Sequence, residues 1–195
     1  MKSAQTRRLL ITGTGAGVGK TTIGCALGFA MRARGMRVGV MKPVDTFESQ
    51  DAQALALAVG SVMPMELICP CRSVHPCTDS ADLAHIKQCF NVIAAQNDVV
   101  LVESANTIDF ADLAATLELE VIVVVGNRPG CVNAMMLTIQ RCASRGLKVA
   151  GCILCDCDPT TDTDEASMRE LFGASYLGRM RQREPLARAI VEKLV

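Results

Sequence analysis

The residues best equipped for chemistry form one run near the amino terminus, Gly13-Thr14-Gly15-Ala16-Gly17-Val18-Gly19-Lys20-Thr21-Thr22. Small residues let successive backbone N–H groups curl around an anion, and a helix that follows adds its positive end. In that arrangement Lys20 reaches the β- and γ-phosphates of a nucleotide and the Thr21 hydroxyl holds Mg2+. The run misses the strict G-x4-G-K-[ST] spacing by one residue, because Thr14 takes the first glycine position and Gly13 stands one place earlier. Magnesium takes hard oxygen ligands, commonly one or two carboxylates together with water. Glu103, which closes the apolar run Val99-Val100-Leu101-Val102, and Asp51, at the start of an amphipathic stretch, both fit that need. An acid at the end of a buried strand needs a partner, whereas Asp51 has the competing reading of a helix N-cap. Lys42 follows Val40-Met41 and precedes Pro43, which cannot continue a regular ladder. It either faces the phosphate loop or is a solvated lysine at a strand end.

Such residues work only if strand ends bring them together. Short apolar runs alternate with longer amphipathic stretches, with Gly at the junctions, which is the pattern of βα units. Strands are expected at residues 8–12, 37–41, 99–103, 121–125 and 149–154, with a short one around Tyr176 and Leu177. A helix follows Thr21, where Ile23, Ala26, Leu27 and Ala30 share one face and Gly35 caps the end. Further helices are expected at 51–59, 80–95, 110–117, 131–144 with Gly146 behind it, 165–172 and 185–194. The resulting α/β fold is a doubly wound, mostly parallel sheet with helices on both faces, of the P-loop NTPase type. Its loops gather at the carboxyl edge, where ligands bind.

The chain has 195 residues, which suits a single domain over 1–195, since a domain takes roughly 100–200 residues. Lys plus Arg and Asp plus Glu each number 20, so no net charge drives nucleic-acid binding, and aromatics at 3% supply no stacking platform. No run approaches the ~20 apolar residues that span a bilayer. The apolar run after Arg7-Arg8, about four residues long, is too short for a secretory signal. The expectation is a cytoplasmic protein that uses neither nucleic acid nor membrane. Ten Cys stand out. In a reducing compartment they read first as small core residues. A structural metal held by Cys69, Cys71, His75 and Cys77 is the alternative, although their spacing lacks paired C-x2-C knuckles. Cys152, Cys155 and Cys157 form a second cluster.

Taken together, several segments resemble the dethiobiotin synthases, ATP-dependent cyclo-ligases of biotin synthesis. They are Gly13 to Thr22, Met41-Lys42-Pro43-Val44, Asp51-Ala52 with Ala54-Leu55, Val100-Leu101-Val102-Glu103, and Val123-Val124-Val125-Gly126-Asn127-Arg128-Pro129-Gly130-Cys131-Val132-Asn133, with Leu147 to Gly151. The stretch from Gly126 to Asn133, followed by Met136-Leu137-Thr138, is more specific than the phosphate loop. The resemblance implies carboxylation of one amine of 7,8-diaminononanoate with CO2 or bicarbonate. Transfer of the ATP γ-phosphate to the carbamate and closure of a ureido ring by the second amine would follow.

Lys20 and Lys42 would then be catalytic, neutralising charge on the transferring phosphoryl group. Thr21, Asp51 and Glu103 would hold Mg2+, and Thr46 would contact substrate. Gly15, Ala16, Gly17, Val18, Gly19, Lys20, Thr21, Thr22, Asp51, Glu103, Cys155 and Asp156 would contact ATP. A homodimer is implied as well.

Three departures stand out. Ser104-Ala105-Asn106-Thr107 replaces the family's Gly-Ala-Gly-Gly after the magnesium acid, placing side chains where close backbone approach favours Gly. Cys155-Asp156 stands where Asn-Asp is common, and a thiol lacks an amide's paired donor and acceptor. Gly17 takes the place of an acid that assists the metal in many members. Two alternatives follow: a nucleotide-binding relative with a regulatory or interaction role, or a ligase acting on a different substrate.

Overall fold

The apolar runs pair side by side and all point the same way. The computed structural model describes residues 6–46, 50–72, 80–105, 108–156, 165–181 and 188–194. In chain order the elements are β1 (Arg7–Gly13), α1 (Lys20–Arg32), β2 (Val38–Met41), β3 (Val44–Asp45), α2 (Asp51–Ala58), α3 (Met65–Ile68), β4 (Cys71–Arg72) and α4 (Ser80–Ala94). They continue with β5 (Val99–Glu103), α5 (Phe110–Leu117), β6 (Glu120–Gly126), α6 (Cys131–Ser144), β7 (Val149–Cys155), α7 (Glu165–Phe172), β8 (Tyr176–Met180) and α8 (Arg188–Glu192). The main sheet has the order β2-β5-β1-β6-β7-β8. Every pair in it is parallel.

Because both faces of a parallel sheet are covered, its central strands read as unbroken apolar runs. Alternate residues feed different layers. Val100 and Val102 of β5 and Val121, Val123 and Val125 of β6 pack in the layer with Ile86, Phe90, Leu113 and Met135. Val99, Leu101, Ile122 and Val124 pack in the opposite layer with Ile23, Leu27, Leu55 and Ile190. The chain runs from β1 outward to β2, returns through β5, then moves to the other side through β6, β7 and β8. The order therefore reverses around β1, the position at which open α/β sheets form their ligand crevice.

The expected strands and most helices lie within a residue or two of their observed bounds. At the carboxyl terminus α8 spans Arg188–Glu192, and the remainder of the expected helix includes residues 185–187, outside the described residues. The small β3–β4 pair and α3 carry no expectation, being two and four residues long. They follow from Pro43, which interrupts the strand after Lys42: the Lys42 N–H donates to Ile68 O at 2.8 Å, and the Cys71 N–H donates to Pro43 O at 3.1 Å.

Two glycines set how close the first two helices lie. A Cβ on Gly24 would meet Leu55 Cδ2 at 2.8 Å, and one on Gly28 would meet Val59 Cγ1 at 2.5 Å. This close packing carries the start of α2 toward the start of α1. Eight described cysteines are unbridged and six of them are buried. Burial pushes the Cys152 thiol up to about 12, as suits a small core residue. No group of three or more His, Cys, Asp or Glu that could hold a metal ion occurs among the described residues; His75, Cys77 and Cys157 lie outside them. No described helix is long and apolar enough to cross a membrane.

Candidate active site

The phosphate loop joins β1 to α1, as its glycines require. Gly17 and Gly19 have φ of 65° and 93°, a left-handed conformation that Gly adopts without a Cβ penalty. Gly19 is the N-cap of α1 and supplies no side-chain cap, and the first turn holds no acid. The first N–H groups and the helix dipole are therefore left to an anion. The Thr14 N–H donates to Val124 O at 3.0 Å, tying the loop to β6. Lys20 Nζ donates to Gly15 O at 3.4 Å.

On the β2–β5 side, four side chains converge. Glu103, at the end of β5 opposite Ile11 of β1, is 1% exposed. Its Oε1 accepts from Lys42 Nζ at 2.5 Å and from Thr21 Oγ1 at 3.0 Å. Lys42 Nζ also donates to Asp51 Oδ2 at 3.2 Å. Lys42 is 5% exposed, so it is an internal cation and not a solvated strand end. Burial works against its charge, but the carboxylates of Glu103 and Asp51 outweigh it and hold its pKa above the usual lysine value. Burial pushes Glu103 up, more than the attraction of Lys42 offsets. Lys20 is pushed down, first by burial and then by repulsion from Lys42, with Glu103 opposing.

Asp51 is the first residue of α2 and not its N-cap, which is Gln50. The end of that helix is served by Asp45, whose carboxylate accepts from the N–H groups of Thr46 at 3.0 Å and Ala52 at 3.3 Å. With that task taken by Asp45, Asp51 is turned to Lys42. A cavity of about 580 Å3 opens over this cluster, bounded by residues 17–22, Lys42, Asp45, Thr46, Asp51, Glu103 and Ser104.

Ser104, which replaces a glycine of the family pattern, borders this cavity. It is 4% exposed and its hydroxyl donates to buried Thr12 Oγ1 at 3.2 Å. Asn106 and Thr107 lie outside the described residues. The donor set suits a hard divalent cation: a hydroxyl and two carboxylates line one cavity, and Glu103 Oε2 is buried without a hydrogen-bond partner.

On the β6–β8 side the contacts differ. Cys155 is 7% exposed, and its Sγ lies against the loop, 2.6 Å from where a Cβ on Gly19 would stand. Asp156 Oδ1 accepts from buried Asn127 Nδ2 at 2.8 Å and from Arg179 Nε at 2.8 Å. The expected residues thus divide. Gly17 to Thr22, Lys42, Thr46, Asp51 and Glu103 share the cavity; Gly15 and Ala16 lie on the loop outside its lining; Cys155 and Asp156 lie across the loop. Sequence reasoning missed Asp45 and Arg179. A helix-capping acid before α2 was a readable signal for Asp45; Arg179 gave none.

A doubly wound parallel sheet with a phosphate loop at its switch point defines a P-loop nucleotide-binding protein. Solved structures with this fold include the cell division protein FtsY from Thermotoga maritima, with TM-score 0.63 and 19% identity over 98% of this chain and 69% of that one. The septum site-determining protein MinD complexed with Mg-ADP, from Pyrococcus horikoshii, has TM-score 0.64 and 17% identity over 97% and 86%. A family model described as an AAA domain matches residues 7–189. The chain is 36% identical to the ATP-dependent dethiobiotin synthetase of Anaeromyxobacter dehalogenans strain 2CP-C, over 93% of this chain and 88% of that protein. It is 32% identical to that of Janthinobacterium sp. strain Marseille, over 86% and 85%. The chain belongs to the ATP-dependent dethiobiotin synthetase family, a family of ligases.

Proposed function

We propose that this protein is a magnesium- and ATP-dependent cyclo-ligase that forms the ureido ring of dethiobiotin from 7,8-diaminononanoate and CO2. The observation that carries the reading is the convergence of Lys42, Asp51, Glu103 and Thr21 beside the phosphate loop, in one cavity. Phosphoryl transfer to a carbamate asks the protein chiefly for positioning and for positive charge. The loop N–H groups and Lys20 bind the phosphates. Thr21, Asp51 and Glu103 hold Mg2+, which when bound neutralises charge on the phosphates. Lys42, just after β2, lies between these acids and the cavity, where its ammonium can steady the negative charge that develops on the carbamate as the amine adds to CO2. Thr46, exposed on the cavity wall, contacts the diamine substrate. Cys155 and Asp156 serve the nucleoside side. The Ser104 hydroxyl is engaged by Thr12, so on this reading Ser104 bounds the cavity without offering its hydroxyl to a competing contact there.

The same reading takes residues 1–195 as one domain acting in the cytoplasm as a homodimer. Met136 and Leu137, 54% and 59% exposed on α6, offer apolar surface for self-association. Incubation of the protein with ATP, Mg2+, bicarbonate and 7,8-diaminononanoate should yield dethiobiotin, ADP and phosphate. ATP binding with no dethiobiotin formed would refute the activity, and phosphate release only with another diamine would reassign the substrate.

A further inference from the structure

Arg128 lies outside the cavity, yet its guanidinium rests on the phosphate loop. A Cβ on Gly15 would meet Arg128 Nη2 at 2.6 Å, so the guanidinium takes the space that any side chain at position 15 would need. The backbone that presents it is held firmly. The Asn127 N–H donates to Cys155 O at 2.7 Å and the Cys131 N–H to Arg128 O at 3.0 Å. Buried Asn127 also donates through Nδ2 to Asp156 at 2.8 Å. Pro129 and Gly130, the latter with φ 80°, then turn the chain into α6. The loop itself hangs from β6 through Thr14 and Val124, so one strand positions both partners.

The charge balance points to a ligand. Arg7, Arg8 and Arg179 each pair with an acid. Arg128 is half-buried and forms no ion pair with an acid among the described residues. Lys20 Nζ already donates to Gly15 O, so two cations gather on one residue of a loop whose free N–H groups are also positive. Without an anion that arrangement is repulsive; with a polyphosphate each charge finds an acceptor.

We propose that Arg128 is a further nucleotide-binding residue, donating from its guanidinium to phosphate oxygens of ATP where the chain of phosphates passes Gly15. The inference rests on the ATP-site reading above. Arginine suits the task because its planar fork presents several fixed donors to a phosphate, which lysine does not.

Calorimetric titration with Mg-ATP and with adenosine tests it on the full chain. Wild type should bind ATP, and Lys20→Ala should abolish that binding. Arg128→Met and Arg128→Gln should each weaken ATP binding by roughly 10- to 100-fold, the scale of a lost charge-assisted contact. Arg128→Lys should recover part of that loss. Adenosine affinity and the melting temperature without ligand should be unchanged. Wild-type ATP affinity in both uncharged variants would overturn the proposal, and so would an equal loss for adenosine, which marks a structural role. Failure of the wild type to bind ATP would instead remove the underlying reading, and this inference with it.

Discussion

On the β2–β5 side of the phosphate loop, Lys42 and Glu103 meet at 2.5 Å with side chains 6% and 1% exposed. On the β6–β8 side, Arg179 and Asp156 meet at 2.8 Å with side chains 10% and 16% exposed. Both pairs stand at the carboxyl edge of the same sheet, but they are completed differently. Asp156 gathers Asn127 and Arg179 onto one oxygen, so the fold itself supplies its donors. Glu103 gathers Lys42 and Thr21 onto Oε1 and leaves Oε2 buried with no partner. A buried carboxylate oxygen left this way is costly unless something binds it. The difference separates a carboxylate with an oxygen still open to a ligand from one whose donors the fold supplies, and the proposed phosphoryl chemistry draws on the first.

The largest expected effect comes from Glu103. Glu103→Ala leaves Lys42 buried with only the half-exposed Asp51 as its acidic partner and should destabilise the fold by roughly 3–5 kcal/mol, the usual cost of breaking a buried pair. Urea unfolding without ligand measures it, and a loss below about 1 kcal/mol would show that Asp51 alone compensates. Glu103→Gln should fold better and still need more Mg2+ for half-maximal activity. An unchanged magnesium requirement would remove Glu103 from the metal set.

Asp156→Ala should cost less, about 2 kcal/mol, because it takes one acceptor from Asn127 and Arg179 at a site already nearer to water. The same urea curves compare the two flanks directly. If Asp156→Ala proved the more damaging variant, the contrast between a closed network and an open one would be reversed.

The scaffold was largely legible because parallel strands buried on both faces must be apolar throughout, and because Gly, Lys and Thr in sequence mark where a strand gives way to a phosphate-binding helix. Glu103 and Lys42 were legible for a related reason, each being a charge at the end of an apolar run. Asp51 reads in the sequence equally as a ligand or a helix cap, and it is Asp45 that does the capping. That exchange depends on a two-residue strand, too short for any periodicity to announce. The contact of Arg128 with Gly15 joins residues far apart in the chain, and no local pattern encodes it. Ser104 is a smaller case of the same kind: its type suggested obstruction, but its hydroxyl is bonded to Thr12 on the neighbouring strand, a pairing no local pattern encodes.

The smallest expected effect lies where the two flanks are joined. Asp109 caps α5, accepting from the Ala111 N–H at 2.7 Å, and also accepts from Arg141 Nη2 of α6 at 2.6 Å. Partial burial opposes its ionisation, but the Ala111 N–H and Arg141 prevail and hold its pKa below the usual aspartate value. A depressed carboxylate pKa adds stability that is present above the unfolded value, near ~3.9, and is lost as pH falls through the folded value. Asp109→Ala should therefore cost about 1 kcal/mol at neutral pH, the ordinary loss of an N-cap. Asp109→Asn keeps a capping oxygen and should cost less. Its deficit relative to wild type should shrink to nothing as the pH is lowered past the folded pKa, because protonated Asp109 then carries no charge either. Urea midpoints between pH 7 and pH 2 would show this, and a deficit that persisted at low pH would mean that shape rather than charge ties α5 to α6.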